Sequence, residues 1–434
     1  MHRNDDGREA KPKGRGKRNL LEVWPAKPGE LIRRKSTAII SIPESFSFIS
    51  DPHSAIETLT DLRRSIDDPR IGEIEFDHSE CKSLDLCAST VMDVLFLLGQ
   101  RQARFRGRKL LAKGDWSSEG DVNVLLAANG ILKHLSHPIS KSLPPDLAKN
   151  LRVFELRKGQ RAGPSVTSAA EIASTDLLDF FNACLQTEGF HLNKQSERLL
   201  IDLVAEVLGN AEEHCASANK KNRREWYVIG YYKHSEREDE GGECHIVLFN
   251  FGDSIYESLR SPDTSPELTR QIQELSDLHR KRGFFDRVMK IAAGLYIASI
   301  KVWQEEALWT LYALQEGVSR FNHLPGNEDR GNGTVRMIEF FTDLASREPR
   351  MALISGRTWI LFDGTYRLKT IMKQGGERKI IAFNQENDLK LPPDPERVRT
   401  LNAKFPGTLV SLKFRLRRSD LALIPEAVDQ DAKN

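Results

Sequence analysis

The stretch Glu206-Val207-Leu208-Gly209-Asn210-Ala211-Glu212-Glu213-His214 organises the reading of this chain. It falls inside a helical pattern. Leu199, Leu203 and Val207 form one apolar row, and Leu200, Val204, Leu208 and Ala211 form a second beside it. Glu206, Asn210 and His214 follow one another at i, i+4 and i+8, so they share one polar stripe of the helix. A carboxylate one turn before a carboxamide suits a magnesium-nucleotide site. The Glu can orient and deprotonate a water, and the Asn oxygen is a neutral, hard ligand for Mg²⁺. Alone, the nine residues favour a plainer reading, a solvated helix face.

Three further pieces change that balance. Ile246-Val247-Leu248-Phe249 reads as a short buried strand that runs into Asn250-Phe251-Gly252-Asp253-Ser254-Ile255, a turn at a strand end. Arg330-Gly331-Asn332-Gly333-Thr334 precedes a second helical pattern carried by Val335, Ile338, Phe341 and Leu344. Glycines just before a helix let backbone N–H groups approach phosphate at its positive end. Gly407-Thr408 opens a strand, Leu409-Val410-Ser411-Leu412-Lys413-Phe414. In this order the four pieces resemble the GHKL ATPase family, which includes gyrase, the large heat-shock chaperone, the mismatch-repair ATPase, histidine kinases and anti-sigma-factor kinases. The resemblance covers roughly residues 168–418.

The resemblance implies roles residue by residue. Glu206 matches the general base and Asn210 the magnesium ligand. Asn250 and Gly252 match the Asp and first Gly of the family's Asp-x-Gly-x-Gly adenine box, with Ser254 where the second Gly is expected. Gly331 and Gly333 match the phosphate-lid glycines, and Thr408 the hydroxyl that helps to bind adenine through water. The Asn-Ala-x-x-His run from Asn210 to His214 is most similar to the anti-sigma-kinase branch, and His214 can contact phosphate or cap the helix. Asn250 keeps an acceptor oxygen for the adenine amino group but lacks the charge of Asp. The cofactors so implied are ATP and Mg²⁺.

Composition bounds the alternatives. The chain has 434 residues, 39% hydrophobic and 29% charged, enough for two or three domains with cores of their own. A net charge of +2 makes no general case for nucleic acid as a partner. The five cysteines show no Cys-x-x-Cys spacing and read as reduced thiols of a cytoplasmic protein without a zinc site. The longest apolar runs, such as residues 91–98 interrupted by Asp93, are too short to span a bilayer, and no secretory signal is expected. No Gly-x-x-x-x-Gly-Lys-Ser/Thr phosphate loop or Gly-x-Ser-x-Gly elbow is present.

Residues 1–35 read as a basic, disordered tail and lead-in. Residues 36–140 alternate strand and helix patterns: strands at 38–42, 71–76 and 109–112, helices at 55–66, 86–98 and 122–135. The second strand, the loop with Asp77, Ser79 and Asp85, and the following helix resemble a STAS domain, as in anti-sigma-factor antagonists. Leu84-Asp85-Leu86-Cys87-Ala88 then stands where those proteins have Ile-Asp-Ser-Ser-Gly, with Cys87 at the phosphorylated serine. A thiol is not a kinase substrate, so this unit is expected to be a fixed docking unit.

Residues 141–167, with Pro144-Pro145 and the charged run 157–164, read as a linker. The ATP-binding domain is expected over 168–420, with a helical lid insertion at about 264–325 and a tail at 421–434. Residues 226–232 and 244–249 suit an antiparallel pair, and 351–355 and 358–362 two strands joined by a turn at Ser355-Gly356.

The whole is an expected α+β protein, a Bergerat-type sheet backed by helices after a small STAS-like α/β domain. The resemblance implies an Mg²⁺-dependent ATPase whose nucleotide state controls protein-partner contacts, through the STAS-like domain or the lid helices, in bacterial signalling or defence. Two alternatives stand beside it: a protein serine/threonine kinase of the anti-sigma type, and a nucleotide-sensing scaffold without turnover. An oligomer is compatible with all three.

Overall fold

Glu73–Asp77 alternates polar and apolar side chains, and Thr37–Ser41 alternates partly exposed and buried ones, so each strand buries one row of residues deeply. Each is followed by an amphipathic helix, and strand–helix–strand units of this kind give parallel pairing. The computed structural model describes residues 33–34, 36–129, 150–160, 168–214, 225–235, 242–292, 304–318, 333–344, 349–373 and 376–424.

The first unit comprises β1 (Arg33–Arg34), β2 (Thr37–Ser41), β3 (Ser45–Phe46), α1 (Pro52–Asp67), β4 (Glu73–Asp77), β5 (Ser83–Leu84), α2 (Leu86–Phe105), β6 (Leu111–Gly114) and α3 (Gly120–Asn129). Its main sheet has the order β1-β2-β4-β6, with β1 antiparallel and the rest parallel. Asp51 caps α1 by accepting from the Ser54 N–H, with Pro52 at the helix start. Asp85 caps α2 by accepting from Ala88 N–H at 2.6 Å.

The second unit comprises β7 (Leu151–Gln160), α4 (Ala169–Gln186), β8 (Phe190–Leu192), α5 (Lys194–His214), β9 (Glu225–Lys233), β10 (Glu243–Phe251), α6 (Ile255–Leu259), α7 (Pro266–Ala292), α8 (Glu305–Ala313), α9 (Gly333–Leu344), β11 (Arg350–Phe362), β12 (Lys369–Lys373), β13 (Gly376–Ile380), β14 (Val398–Arg415) and β15 (Leu421–Leu423). Five strands form an antiparallel sheet in the order β11-β14-β10-β9-β7.

Both faces of this sheet are buried, and the two-residue period of its strands assigns the side chains. Trp226, Val228, Tyr232, Ile246, Leu248, Val410 and Leu412 pack with α4, α5 and α9 through Leu177, Phe181, Leu203, Val204, Leu208, Ile338 and Phe341. The alternate residues, Tyr227, Ile229, Tyr231, Val247, Phe249, Ile354, Trp359, Phe405 and Leu409, share one core with the first unit, including Phe48, Ile56, Leu59 and Met92. Polar contacts fix the junction. Trp359 Nε1 donates to Phe48 O at 2.7 Å, and Asn402 Nδ2 to Glu57 Oε1 at 2.9 Å. Phe48 meets Phe405 edge-on with ring centroids 6.3 Å apart.

Cys87 is buried at this junction, with its thiol beside Ser411 of β14. The Ser411 hydroxyl also lies 2.8 Å from Nε2 of His245. Burial, and then the neighbouring Asp85 carboxylate, hold the Cys87 thiol well above its ordinary pKa. Cys87, at the start of α2, is thus covered by this chain's own sheet.

The structure is a mixed α+β fold. It differs from the sequence reading in several boundaries. Residues 151–160, read as linker, are edge strand β7, paired with β9. Charge and glycine within 157–160 mark an exposed edge here rather than a break. Residues 421–423, read as tail, form β15 and pair with β8. The two strands expected at 351–355 and 358–362 are one strand, β11. Its pairing with β14 shifts register on either side of Gly356, which has φ +59°, so the glycine makes a bulge where a turn was expected.

Candidate functional site

Helix α5 begins with Asn193 accepting from Ser196 N–H at 2.8 Å, and it buries Leu200, Leu203, Val204 and Leu208 against the sheet. That anchoring turns the opposite stripe, with half-buried Glu206 and Asn210, toward α9. Asn210 Nδ2 donates to Glu206 Oε1 at 3.2 Å, which leaves Asn210 Oδ1 as an acceptor. Gly333 is the first residue of α9, and a Cβ placed on it would lie 1.5 Å from Glu206 Oε1. The carboxylate therefore occupies the space beside the helix N-terminus, where the macrodipole favours negative charge.

Asn250, near the end of β10, is 4% exposed and faces Thr408 across one neighbouring strand and Trp226 across the other. Its carboxamide has no hydrogen-bond partner among the described residues. Gly407 explains how β14 comes so close. Its φ is +139°, and an added Cβ would stand 2.0 Å from the Asn250 carbonyl oxygen. Gly252 N–H donates to Pro406 O at 3.1 Å, closing the same turn.

The Thr408 hydroxyl pairs with Ser355 Oγ at 2.9 Å, and Ser355 Oγ accepts from Ile255 N–H at 2.8 Å. Ser355 thus links the expected adenine-side hydroxyl to the start of α6. The sequence reading did not single it out as a site residue, because a serine before a glycine signals a turn rather than a site.

Ser254 is fully buried and forms a capping box. Its hydroxyl accepts from Glu257 N–H at 3.2 Å, while Glu257 Oε2 accepts from Ser254 N–H at 2.9 Å. Where the resemblance expects a second glycine, the chain has a helix cap, and the Ser254 side chain is engaged there.

Two carboxylates border this region, Glu257, which carries the local signal of the Ser254-x-x-Glu257 capping box, and Glu306, which carries none. Burial pushes the Glu257 carboxyl up, but its ion pair with Lys404 and its bonds from Ser254 outweigh that and hold it below the ordinary range. Burial raises the Glu306 carboxyl, which accepts from Arg357 N–H at 2.7 Å and lies where a Cβ on Gly356 would fall.

Both groups of residues sit toward one end of the sheet. Trp226 Nε1 donates to Glu212 Oε1 at 2.9 Å, which ties the last turns of α5 to the strand neighbour of Asn250. The structure therefore gathers Glu206, Asn210 and Gly333 at one place, and Asn250, Gly252 and Thr408 at another nearby. Gly331 and the side chain of His214 lie outside the described residues.

Among the described residues, no three His, Cys, Asp or Glu are arranged to hold a metal ion, and no helix is long and apolar enough to cross a membrane. Comparison of the chain with protein-family models, curated proteins and solved structures gave no match.

Proposed function

We propose that this chain is an Mg²⁺-dependent ATP-binding protein of GHKL type that hydrolyses ATP, its nucleotide state controlling contacts with a protein partner in bacterial signalling or defence. One observation carries the reading. A carboxylate, a carboxamide and the glycine at a helix N-terminus meet at a single point, Glu206 with Asn210 and Gly333.

The residues suit the two ligands. The buried Asn250 carboxamide offers an acceptor for the adenine amino group, and the Thr408–Ser355 hydroxyl pair offers further polar contacts. Asn210 Oδ1 would hold Mg²⁺, which usually keeps several waters and phosphate oxygens as its other ligands. When bound, the ion neutralises charge on the phosphates. The N-terminal end of α9 favours negative charge, and the absence of a side chain on Gly333 lets the Glu206 carboxylate lie against it. Glu206 would accept the proton of the attacking water and release it with the product phosphate.

Helices α7 and α8, in the expected lid insertion, form a small apolar cluster of their own with Ile272, Leu308, Trp309 and Tyr312. They are the elements best suited to carry a nucleotide-dependent change to a partner.

A second reading is favoured by Ser254. A cap in place of a glycine, together with Asn at 250, suits a nucleotide-sensing scaffold without turnover. Incubation of the purified chain with γ-labelled ATP and Mg²⁺ separates the possibilities. Free phosphate supports the ATPase, labelled protein a kinase, and bound but unchanged ATP the scaffold. Absence of ATP binding removes all three.

A further inference from the structure

The last turn of α2 and the turn after it read Arg101-Gln102-Ala103-Arg104-Phe105-Arg106-Gly107-Arg108-Lys109, five basic residues and no acid in nine. Phe105 is 97% exposed, more than any other large apolar side chain among the described residues. Arg101, Arg104, Arg106 and Lys109 are exposed and have no ion-pair partner among the described residues.

A cation near a helix C-terminus is favourable by itself, which accounts for Arg101 and Arg104. It does not account for an exposed phenyl ring set among them. The turn is also held in one shape. Gly107, at φ +70°, donates to Arg104 O, and Arg108 N–H donates to Ala103 O at 2.8 Å. The Arg108 guanidinium is fixed by the carbonyls of Asp68 at 2.9 Å and Ile66 at 3.0 Å. Arg108 thus braces the backbone of the turn, so binding has to order only the neighbouring side chains.

Charge elsewhere in the chain points the same way. Residues 1–35 hold eleven Lys and Arg against five Asp and Glu, and the rest of the chain is acidic on balance. Ser36, the residue directly after that segment in sequence, lies on the rim that carries the turn. Ser36 O accepts from Gly72 N–H at 2.9 Å, and Gly72 O from Leu111 N–H at 2.9 Å, directly after the turn. The small net charge therefore hides a concentration of positive charge.

We propose that the Arg101–Lys109 turn, with Phe105 at its tip, docks single-stranded nucleic acid. Guanidinium groups bind phosphate through paired N–H donors, and an exposed ring stacks on an unpaired base of any identity. An anionic membrane is the weaker fit, because interfacial anchoring needs an apolar face and this turn offers one phenyl ring. The inference uses none of the residues assigned to the nucleotide site and does not depend on that reading.

The test uses the full chain and a fluorescein-labelled oligothymidylate, followed by anisotropy across a salt series, with a DNA duplex and phosphatidylserine vesicles as competitors. The parent should bind the single strand with a marked salt dependence. Replacing Arg101, Arg104 and Arg106 together by Ser should reduce the salt slope by about 2, given about 0.7 per phosphate contact on single strands. Phe105→Ala should weaken binding by roughly 5- to 150-fold with the slope unchanged, and Phe105→Trp should restore it. All these positions are exposed, so the Phe105 variants should melt with the parent, and the triple variant should melt only slightly lower, through loss of the two cations at the helix end. The proposal is overturned if the parent does not bind, if the variants bind as the parent does, or if vesicles or duplex compete better than unlabelled single strand.

Discussion

The Glu206 carboxylate fills the space that a methyl group on Gly333 would need: the built Cβ would be 1.5 Å from Glu206 Oε1. These residues are distant in sequence and meet because α5 packs along α9. The contact couples the expected general base to the expected phosphate-binding helix end, so the two cannot be varied independently.

Gly333→Ala tests that coupling. Alanine normally favours a helix by up to about 1 kcal/mol over glycine, so thermal stability should hold or rise. The methyl group must displace Glu206, so ATP turnover should fall while the fold persists. Parallel melting and phosphate-release assays decide it, and a fully active variant would separate Gly333 from the site.

Glu206→Gln keeps the shape and the hydrogen bond with Asn210 but cannot accept a proton. Turnover should fall by roughly 10²- to 10⁴-fold with Mg-ATP binding retained. Asn210→Ala should instead weaken Mg-ATP binding, read by calorimetry, without unfolding the chain. If Glu206→Gln hydrolyses ATP at the parent rate, Glu206 is not the base.

Gly407→Ala places a side chain at φ +139° and against the Asn250 carbonyl. Backbone strain of this kind costs about 1–3 kcal/mol, and the overlap adds to it. A lower melting temperature is expected, with weaker ATP binding because Asn250 must move. A variant that melts with the parent would contradict the close approach of the two strands.

The first unit and the five-stranded sheet share one apolar core, so they should unfold together in one calorimetric transition. Trp359→Phe removes the donor to Phe48 O and leaves that carbonyl unpaired, at about 1–3 kcal/mol. The loss should lower that single transition as a whole. Two separated transitions, only one of them moved, would show that the junction is not part of a common core.

Stability should fall in mild acid. Burial drives the His78 imidazole down to about 4, against the backbone groups of Phe76 and Asp115 and the carboxylates of Asp77 and Asp115. The folded value lies below the unfolded one of about 6.5, so the unfolded chain binds more protons between them. The contribution is complete above about pH 6.5 and is lost as pH falls to about 4, amounting to about 3 kcal/mol. His245, lowered first by burial and then by Lys413, acts with the same sign. Burial raises Asp85, which opposes the trend in its own range. Urea midpoints at a series of pH values should show the decline, and His78→Gln should reduce it, leaving the part due to His245.

Local pattern was sufficient for much of this molecule. The apolar rows at 199–208 are the buried side of α5, because a 3.6-residue period fixes a face within three turns. Residues 226–232 and 244–249 pair antiparallel, with Val247 opposite Ile229, as their β-prone side chains indicate. Ser265-Pro266-Glu267 starts α7, where Ser265 Oγ accepts from Leu268 N–H at 3.1 Å. Each of these features is specified by residues a few positions apart.

The tertiary structure decided what covers the other side of that sheet. Alternation shows that β9 and β10 have two faces, but only the pairing of Trp359 with Phe48, 311 residues apart, places the first unit on the second face. The same holds for Ser355 and Thr408, for the bulge at Gly356, and for Cys87 against Ser411. In each case the partner lies far along the chain, and no local period records which distant strand or helix will supply it.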